Sequence, residues 1–333
     1  MGCKVRHISC FLSSNKINNE SLVINFPEIS EDEIFRKTGV KVRYNTSLDF
    51  LGSDLAIGAA ENLFNEIDYD RKNINFVVFC SGGHDFIAPM TICIIQEKLG
   101  LRNDIGAFDL PSGCSAFTNA IGFSKAIIES GQSDNVLLLF GETPSLVSHP
   151  RDFALRSLFS DAGAAVLVEK TDGRGIGEVV YGVDGKGVNH LLVERSCLRN
   201  PIDENWLALN RDVGGMSRGQ MKMNGIEILT FSLKEVPALV NKILEKNNLL
   251  LRDIDLFVFH QASNIILKSL QRKLRIPEEK MAFYLENYGN TVSVSIPLAL
   301  KDAIKEGRIR EGSKVLVAGY GIGFSWSGTV LYF

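Results

Sequence analysis

The chain has 333 residues, 45% of them hydrophobic, and a formal net charge of −3. Because this length exceeds what one hydrophobic core comfortably holds, two domains or two fused halves are expected. The near-neutral charge and the lack of Lys/Arg-rich runs argue against nucleic acid as a partner. Apolar runs such as 136–140 and 315–318 stop after four or five residues, which is too short to span a membrane.

The N-terminal segment, residues 1–6, does not resemble a targeting signal. It lacks the apolar block of a signal peptide, and Arg6 occupies the position that a myristoylation signal fills with Ser or Thr. We therefore expect a cytoplasmic protein. Its six cysteines show neither CxxC pairs nor metal-ligand spacing, which predicts free thiols and no metal site.

Short apolar strands alternate with periodic helices along the chain, which predicts an α/β protein with parallel strands. Three segments of the first half resemble segments of the second, in the same order and 176 to 180 residues apart: 75–81 with 255–261, 112–114 with 288–290, and 135–141 with 314–320. We interpret this as a duplication. It predicts two halves, 1–170 and 171–333, that pack about a pseudo-twofold axis and bring equivalent loops together.

The first candidate catalytic residue is Cys114, which follows a glycine and begins the predicted helix 116–130. A thiol at a helix N-terminus faces unpaired N–H groups and the positive end of the helix dipole, which favours the thiolate. An arbitrary cysteine is more often a small buried apolar residue. The position at a helix start favours a nucleophile instead. The helix itself is apolar on much of its circumference, so we expect it to be buried between sheets.

Residues from about 171 to 222 have no clear counterpart in the first half, and we interpret them as an insertion. The segment is rich in glycine and carries Cys197 and Trp206. We expect it to cover a site. Trp206 would either cap a substrate tunnel or fix the insertion to the rest of the protein.

In the second half, His260 ends the apolar run 256–259, and the carboxyl end of a buried strand is where α/β sheets bind ligands. A structural histidine bonded to a carbonyl is the alternative. Asn290 alone would be a turn residue, because Gly-Asn suits tight turns. The duplication, however, places Asn290 opposite Cys114, at the start of a matching helix, so that two helix N-termini point at one pocket.

The glycine-rich tail, residues 319–325, follows a strand and precedes the terminal strand 328–333. A phosphate-binding loop would precede a helix instead. The tail therefore predicts an oxyanion hole, in which backbone N–H groups approach a ligand oxygen.

These residues resemble β-ketoacyl-ACP synthase III, a condensing enzyme of the thiolase superfamily, in four motifs: Gly113-Cys114-Ser115-Ala116, Phe259-His260-Gln261-Ala262, Asn287-Tyr288-Gly289-Asn290-Thr291 and Gly321-Ile322-Gly323-Phe324-Ser325-Trp326. Their order and spacing match as well. Further matches extend the resemblance over nearly the whole chain: 38–40, 89–96, 98–100, 160–164, 223–225 and 236–237. The resemblance implies a thiolase-like fold with five layers, αβαβα, built from the two halves.

The resemblance implies an acyltransferase that acts in two steps and needs no bound cofactor. Cys114 would accept an acyl group from acyl-CoA or acyl-ACP, and malonyl-ACP would then lose CO₂ and attack the acyl-enzyme. His260 and Asn290 would stabilise the enolate, while the backbone N–H groups of Cys114 and Ile322 would hold the tetrahedral oxyanion. The implied setting is fatty-acid or polyketide-like secondary metabolism, with acyl carrier protein as partner and a homodimer as the assembly.

Residues at the entrance match the family less well than the catalytic ones. The tryptophan that stacks on the adenine of coenzyme A falls at Glu33, and an arginine beyond the catalytic histidine falls at Ile265. Preference for a carrier protein over free coenzyme A is therefore a hypothesis. Three basic residues are candidates for docking the carrier or coenzyme A at the entrance: Lys37, Arg151 and Arg156.

The acyl pocket is assigned to Ala88 and Tyr320. Ala88 precedes Pro89 at a position that is bulky and aromatic in relatives using short acyl groups, so the pocket would be enlarged across the dimer interface. This favours acyl groups longer than acetyl.

Two alternatives to condensation are considered. The same fold could transfer the acyl group to an alcohol or amine without decarboxylation, but such an acceptor calls for a base, whereas an enolate calls for the donor Asn290. A non-catalytic partner subunit of a synthase is the other alternative, and the intact set Cys114, His260 and Asn290 argues against it. The sequence leaves the acyl chain, its donor and the pathway open.

Overall fold

The structure, a computed structural model, describes residues 2–195, 198–205 and 220–333. Cys197 and Trp206 of the predicted insertion lie outside the described residues. Among the residues that are described, no helix is both long and apolar enough to cross a membrane.

The strands are, in chain order, β1 (Gly2–Leu12), β2 (Asn15–Asn18), β3 (Val42–Asn45), β4 (Phe76–Ser81), β5 (Gly106–Pro111), β6 (Asn135–Glu142), β7 (Ala162–Thr171), β8 (Val180–Val183), β9 (Leu191–Val193), β10 (Met221–Met223), β11 (Leu256–Phe259), β12 (Lys314–Gly321) and β13 (Ser325–Tyr332). The helices are α1 (Asn19–Asn25), α2 (Glu31–Thr38), α3 (Gly52–Glu66), α4 (Thr91–Lys98), α5 (Ala116–Glu129), α6 (Phe153–Leu158), α7 (Gly225–Lys246), α8 (Asn264–Leu274) and α9 (Ser295–Lys305). Short 3₁₀ helices cover Arg71–Asn73, Pro144–Leu146, Gly185–His190, Leu251–Asp253, Glu278–Lys280, Leu285–Asn287 and Val292–Val294.

Two main sheets repeat one topology. The first has the order β1-β7-β6-β4-β5 and the second β11-β12-β13-β8. Strands β4 and β6 are parallel, as are β11 and β12, and each pair continues into two antiparallel strands, β7 and β1 in one sheet, β13 and β8 in the other. In place of β5, the second sheet has an isolated parallel bridge between Phe257 and Met281. The topology confirms the duplication.

The layers follow from the alternation of side chains along each strand, since successive residues face opposite sides of a sheet. In β6, Val136, Leu138 and Phe140 face a central core that also contains residues of α5, α9 and the second sheet. Leu137 and Leu139 instead face an outer core with α3 and α4. Helices α7 and α8 cover the outer side of the second sheet in the same way. The order helix, sheet, helix, sheet, helix confirms the five-layered thiolase-like fold.

Helix α5 lies in the central layer, as its apolar circumference predicts. Its buried hydroxyl groups are paired: Thr118 Oγ1 lies 2.6 Å from Ser327 Oγ, and the Ser124 hydroxyl donates to the Ala120 carbonyl at 2.9 Å. A helix enclosed by two sheets can therefore carry these polar residues without leaving a hydroxyl unsatisfied.

The predicted insertion, 171–222, contributes to the second sheet. Its residues 180–183 form β8, which pairs with β13 and occupies the place that β1 has in the first sheet. Strand β9 of the same segment pairs with β10. Leu191 at the start of β9 lines the cavities beside Cys114, so this part of the segment does border the site.

Candidate active site

The three predicted catalytic side chains meet at one cavity of about 230 Å³. Cys114 lies in the turn between β5 and α5, His260 follows β11 directly, and Asn290 precedes α9. All three residues line the cavity. Strand β5 leads through Cys114 to α5, and the segment that contains Asn290 leads to α9, so the starts of the two central helices meet beside the end of β11.

The sulfur of Cys114 is enclosed by the backbone that joins β12 to β13. Cys114 is only 5% exposed. A Cβ atom at Gly321 would lie 2.8 Å from the Cys114 sulfur, and one at Gly319 would lie 2.9 Å from the Cys114 carbonyl oxygen. Glycine is therefore required at both positions for the strand to pass so close to the thiol.

Burial raises the pKa of the Cys114 thiol to about 12. The backbone N–H groups of Ile322 and of Cys114 itself favour the thiolate, but they do not offset the loss of water, and Glu142 adds to the rise. The N–H groups near the helix start act in the predicted direction, but burial has the larger effect, so the net change in the thiol pKa is upward. Helix α5 also begins two residues later, at Ala116.

Alkylation of Cys114 by iodoacetamide is expected to accelerate about tenfold per pH unit up to about pH 10, because only the thiolate reacts and the pKa is about 12. The rate is measured by peptide mass spectrometry, which separates Cys114 from the exposed Cys93. Cys93 serves as the internal control. A plateau in the Cys114 rate near the ordinary thiol pKa of about 8.5 would contradict the raised pKa.

His260 is a neutral imidazole at physiological pH. The side chain is 2% exposed, and burial lowers its pKa to about 3, although the nearby Val292 carbonyl acts in the opposite direction. Its Nδ1 atom lies 2.7 Å from the Ser295 hydroxyl oxygen. Its ring lies edge-on to Tyr320, with ring centres 5.7 Å apart.

Asn290 is held rigidly by backbone groups. Its Nδ2 donates to the Ala262 carbonyl at 3.0 Å, and its Oδ1 accepts from the Val292 N–H at 3.0 Å. An amide nitrogen has two protons. Since the Ala262 carbonyl takes one, the other is available to the cavity that Asn290 lines.

Val292 connects the two donors and adopts an uncommon backbone conformation. Its φ is +53°, which is a genuine outlier for a β-branched residue. Its N–H donates to Asn290 Oδ1, its carbonyl accepts the Ser295 N–H, and the Ser295 hydroxyl oxygen lies 2.9 Å from that carbonyl oxygen. Such strain persists only where surrounding contacts impose it, and it concentrates at functional sites.

Glu142 is a buried acid that the sequence analysis missed. It is 4% exposed, and it accepts hydrogen bonds from the Ser293 hydroxyl at 2.5 Å and from the Gly82 N–H at 3.2 Å. Burial raises its pKa to about 7. The sequence carried a signal, since Glu142 stands two residues after the apolar run 136–140, near the end of a buried strand, and His260 stands directly after 256–259.

A second cavity, of about 120 Å³, lies on another side of Cys114. Its walls are mostly apolar, with Phe159, Leu191 and Ile322 among them, and it extends to Gly82, Gly83 and Glu142. Cys114 borders both cavities, so a group attached to its sulfur could enter the second one while a second molecule occupied the first.

The predicted pocket and entrance residues have different surroundings. Tyr320 is 1% exposed and lines the first cavity. Ala88 is exposed and lines neither cavity beside Cys114. Lys37 and Arg151 are exposed, with Lys37 2.7 Å from Glu33. Arg156 is partly buried and donates to the Ser145 carbonyl at 3.3 Å.

The cysteines within the described residues are free thiols: Cys3, Cys10, Cys80, Cys93 and Cys114. In the same part of the chain, no group of three or more His, Cys, Asp or Glu side chains is arranged to hold a metal ion.

Two family models match the chain. Residues 108–185 match 3-oxoacyl-[acyl-carrier-protein] synthase III, and residues 244–333 match the C-terminal part of the same family. The first match includes Cys114, and the second includes His260 and Asn290.

Known proteins resemble the chain over nearly its full length. The β-ketoacyl-[acyl-carrier-protein] synthase III of Clostridium perfringens is 34% identical over 322 residues, which cover 96% of each chain. A crystal structure of 3-oxoacyl-(acyl-carrier-protein) synthase III is 32% identical, covers 100% of both chains and has a TM-score of 0.95. The priming β-ketosynthase of the R1128 polyketide pathway is 26% identical, with coverage of 99% of this chain and 96% of that one and a TM-score of 0.87. The chain therefore belongs to the β-ketoacyl-ACP synthase III family of acyltransferases.

Proposed function

We propose that the chain performs its condensation through Cys114, His260 and Asn290. The sulfur of Cys114 attacks an acyl thioester and forms the acyl-enzyme, while the proton of its thiol passes to the leaving thiolate, which departs as the donor thiol. A malonyl thioester then loses CO₂, and the electron pair of the broken C–C bond forms an enolate that attacks the acyl carbon. The product is a β-ketoacyl thioester, and the Cys114 thiol is restored. The convergence of the three side chains at one cavity carries this proposal.

His260 and Asn290 act as neutral donors to the enolate oxygen. A carbanion equivalent needs stabilisation while the carboxylate leaves, and fixed donors in a buried site cost no reorganisation at that moment. The low pKa of His260, about 3, means that the imidazole donates without carrying charge. The rigid mounting of Asn290 by Ala262 and Val292 supports the same role.

The oxyanion of each tetrahedral intermediate binds the backbone N–H groups of Cys114 and Ile322. Both groups interact with the Cys114 sulfur, so both are close to the position of a carbonyl attached to it. Backbone donors are fixed by the fold, and loss of one such donor typically costs about 3 kcal/mol. Because the electron pair comes from the C–C bond that breaks when CO₂ leaves the malonyl group, no bound cofactor is needed.

The acyl chain occupies the second cavity, next to Glu142 and the Gly82–Gly83 turn. That turn leads to Phe86 and Ile87, which are 58% and 74% exposed. A second copy of the chain, packed on these apolar side chains, would bury them and bring Ala88 of one copy towards the pocket of the other. We therefore propose a homodimer in which Ala88 leaves room for acyl groups longer than acetyl.

Both substrates are delivered by acyl carrier protein. Among the described residues, the first cavity has no charged side chain in its lining, and Ile265, which is 50% exposed, stands at its mouth. Such a mouth suits an uncharged pantetheine arm better than the phosphates of coenzyme A. Lys37 and Arg151 are exposed cations that could attract an acidic carrier protein.

The test compares acyl-ACP with acyl-CoA over a range of chain lengths. The acyl-enzyme is measured by intact-mass spectrometry, and the β-ketoacyl thioester is measured after malonyl-ACP is added. We expect acylation by acyl-ACP to be at least about tenfold faster than acylation by acyl-CoA. Changing Lys37 and Arg151 to Glu should slow acylation by acyl-ACP but not by acyl-CoA. Ready acylation by acetyl-CoA but not by longer acyl-ACP would refute the donor and chain-length proposals. Acyl-enzyme that yields product with an alcohol but none with malonyl-ACP would refute condensation.

A further inference from the structure

The Ser295 hydroxyl lies between the imidazole of His260 and the carbonyl of Val292. Its oxygen is 2.7 Å from His260 Nδ1 and 2.9 Å from the Val292 oxygen. It also accepts a hydrogen bond from the Gln261 N–H at 3.3 Å. Ser295 is 3% exposed, so water does not compete freely for these partners.

The hydroxyl of Ser295 has one proton, so it can donate a hydrogen bond either to His260 Nδ1 or to the Val292 carbonyl, but not to both. If the proton goes to the Val292 carbonyl, Nδ1 must carry the imidazole proton and donate it to Ser295. If the proton goes to Nδ1, the imidazole proton must be on Nε2. The Val292 carbonyl does not depend on the hydroxyl, because it already accepts the backbone N–H of Ser295.

We propose that Ser295 is a positioning residue that donates its hydroxyl proton to His260 Nδ1 and thereby keeps the imidazole proton on Nε2. This inference rests on the proposed function, in which His260 donates to the enolate oxygen. Since Nδ1 is engaged by Ser295, Nε2 is the nitrogen that serves the cavity lined by His260.

Without the hydroxyl, the neighbouring backbone favours the opposite tautomer. The Val292 oxygen lies on the Nδ1 side of the ring, since the Ser295 oxygen contacts both atoms; it favours a proton on the imidazole, and Ser295→Ala removes the hydroxyl that donates to Nδ1. The proton would then move to Nδ1, and the lone pair of Nε2 would face the enolate oxygen. A donor would thus become an acceptor at the atom where negative charge develops, while acyl transfer to Cys114 would not need this donor.

The experiment measures the tautomer directly. The full-length protein is labelled with ¹⁵N in its five histidines, and the signals of His260 are assigned by their loss in His260→Gln. We expect an Nε2–H imidazole in the unchanged protein and an Nδ1–H imidazole in Ser295→Ala. Ser295→Thr, which keeps a hydroxyl, should restore the Nε2–H form.

The same variants are compared in the two half reactions. Ser295→Ala should slow release of CO₂ from malonyl-ACP by about 10²-fold, whereas the rate of acylation of Cys114 should change by less than about threefold. The matched control is Ser232→Ala, which removes a buried hydroxyl that donates to the Ile228 carbonyl of its own helix at 2.7 Å. This control should leave both rates and the His260 spectrum unchanged.

Three results would overturn the proposal: an Nδ1–H imidazole in the unchanged protein, an unchanged Nε2–H imidazole in Ser295→Ala, or equal losses in both half reactions. If the unchanged protein releases no CO₂ from malonyl-ACP, the proposed function fails. The tautomers of the unchanged protein and of Ser295→Ala would still decide the role of Ser295.

Discussion

Replacing Cys114 with alanine is expected to abolish acyl-enzyme formation and to reduce condensation by roughly 10⁴-fold or more, because Cys114 is the one cysteine among the described residues that lines either cavity. Release of CO₂ from malonyl-ACP should persist, since His260 and Asn290 keep their own partners, Ser295, Ala262 and Val292. Intact-mass spectrometry with acyl-ACP measures the first effect, and labelled CO₂ measures the second.

Cys80→Ala is the matched control for this substitution. Cys80 is another fully buried thiol whose pKa is raised by burial, but it lies in β4 and borders neither cavity beside Cys114. Its replacement should leave acylation intact. A mass increase that survives in Cys114→Ala would contradict the assignment of the nucleophile. If Cys114→Ala lost CO₂ release as well as acylation, Cys114 would be needed for decarboxylation too, which would contradict the assignment of that step to His260 and Asn290.

The sequence was sufficient to predict the convergence of Cys114, His260 and Asn290. The nearly constant separation of three repeated segments implied two superposable halves, and the alternation of apolar residues placed the candidate loops at strand ends. Both signals are local or periodic, so they survive in a single sequence. The predicted helix 295–305 matches α9, and the predicted helix 116–130 matches α5 within one residue.

The electrostatics of the site could not be predicted in the same way. The pKa of Cys114 depends on how completely β12 and its following turn cover the sulfur, and those residues come some 200 positions later in the chain. A helix start is visible in the local sequence, whereas desolvation by the other half is not. The local sequence therefore indicated one contribution to the thiol pKa but not the larger effect of burial.

The roles of Val292 and Ser295 were also out of reach of pattern analysis. A valine gives no local indication of a positive φ, because it normally avoids that region. The conformation follows from contacts that fix both sides of the turn, such as the bridge between Phe159 and Asn290. Likewise, 171–222 looked like an insertion because β8 is only four residues long and shares no obvious sequence with the longer β1.

Asn290→Asp is expected to slow release of CO₂ from malonyl-ACP by about 10² to 10³-fold, because an ionised carboxylate offers no proton to the enolate and repels its charge. The acid would also face the Ala262 carbonyl, to which the Nδ2 group now donates at 3.0 Å. Acylation of Cys114 should fall by less than about tenfold, since its oxyanion donors are backbone N–H groups. The two half reactions are measured separately.

The pH dependence of this variant gives a sharper test. Burial would raise the pKa of the new carboxyl group, and only its protonated form can donate a hydrogen bond. Release of CO₂ by Asn290→Asp should therefore increase as the pH is lowered from about 8 to about 5. The unchanged protein is the reference, because His260, with a pKa of about 3, stays neutral over that range, whereas Glu142, with a pKa of about 7, titrates in both proteins.

Asn135→Asp controls for the cost of burying a carboxylate. Asn135 is also buried, and its side chain donates to the Asn73 carbonyl at 2.8 Å. It lies at the start of β6 and lines neither cavity beside Cys114. Any loss of stability common to both variants appears in their thermal unfolding. If Asn290→Asp slowed both half reactions equally, or released CO₂ at the unchanged rate, Asn290 would not be a donor to the enolate. A selective loss that is recovered at low pH in Asn290→Asp, beyond any change that protonation of Glu142 causes in the unchanged protein, indicates a proton at position 290, and that proton is what decarboxylation requires.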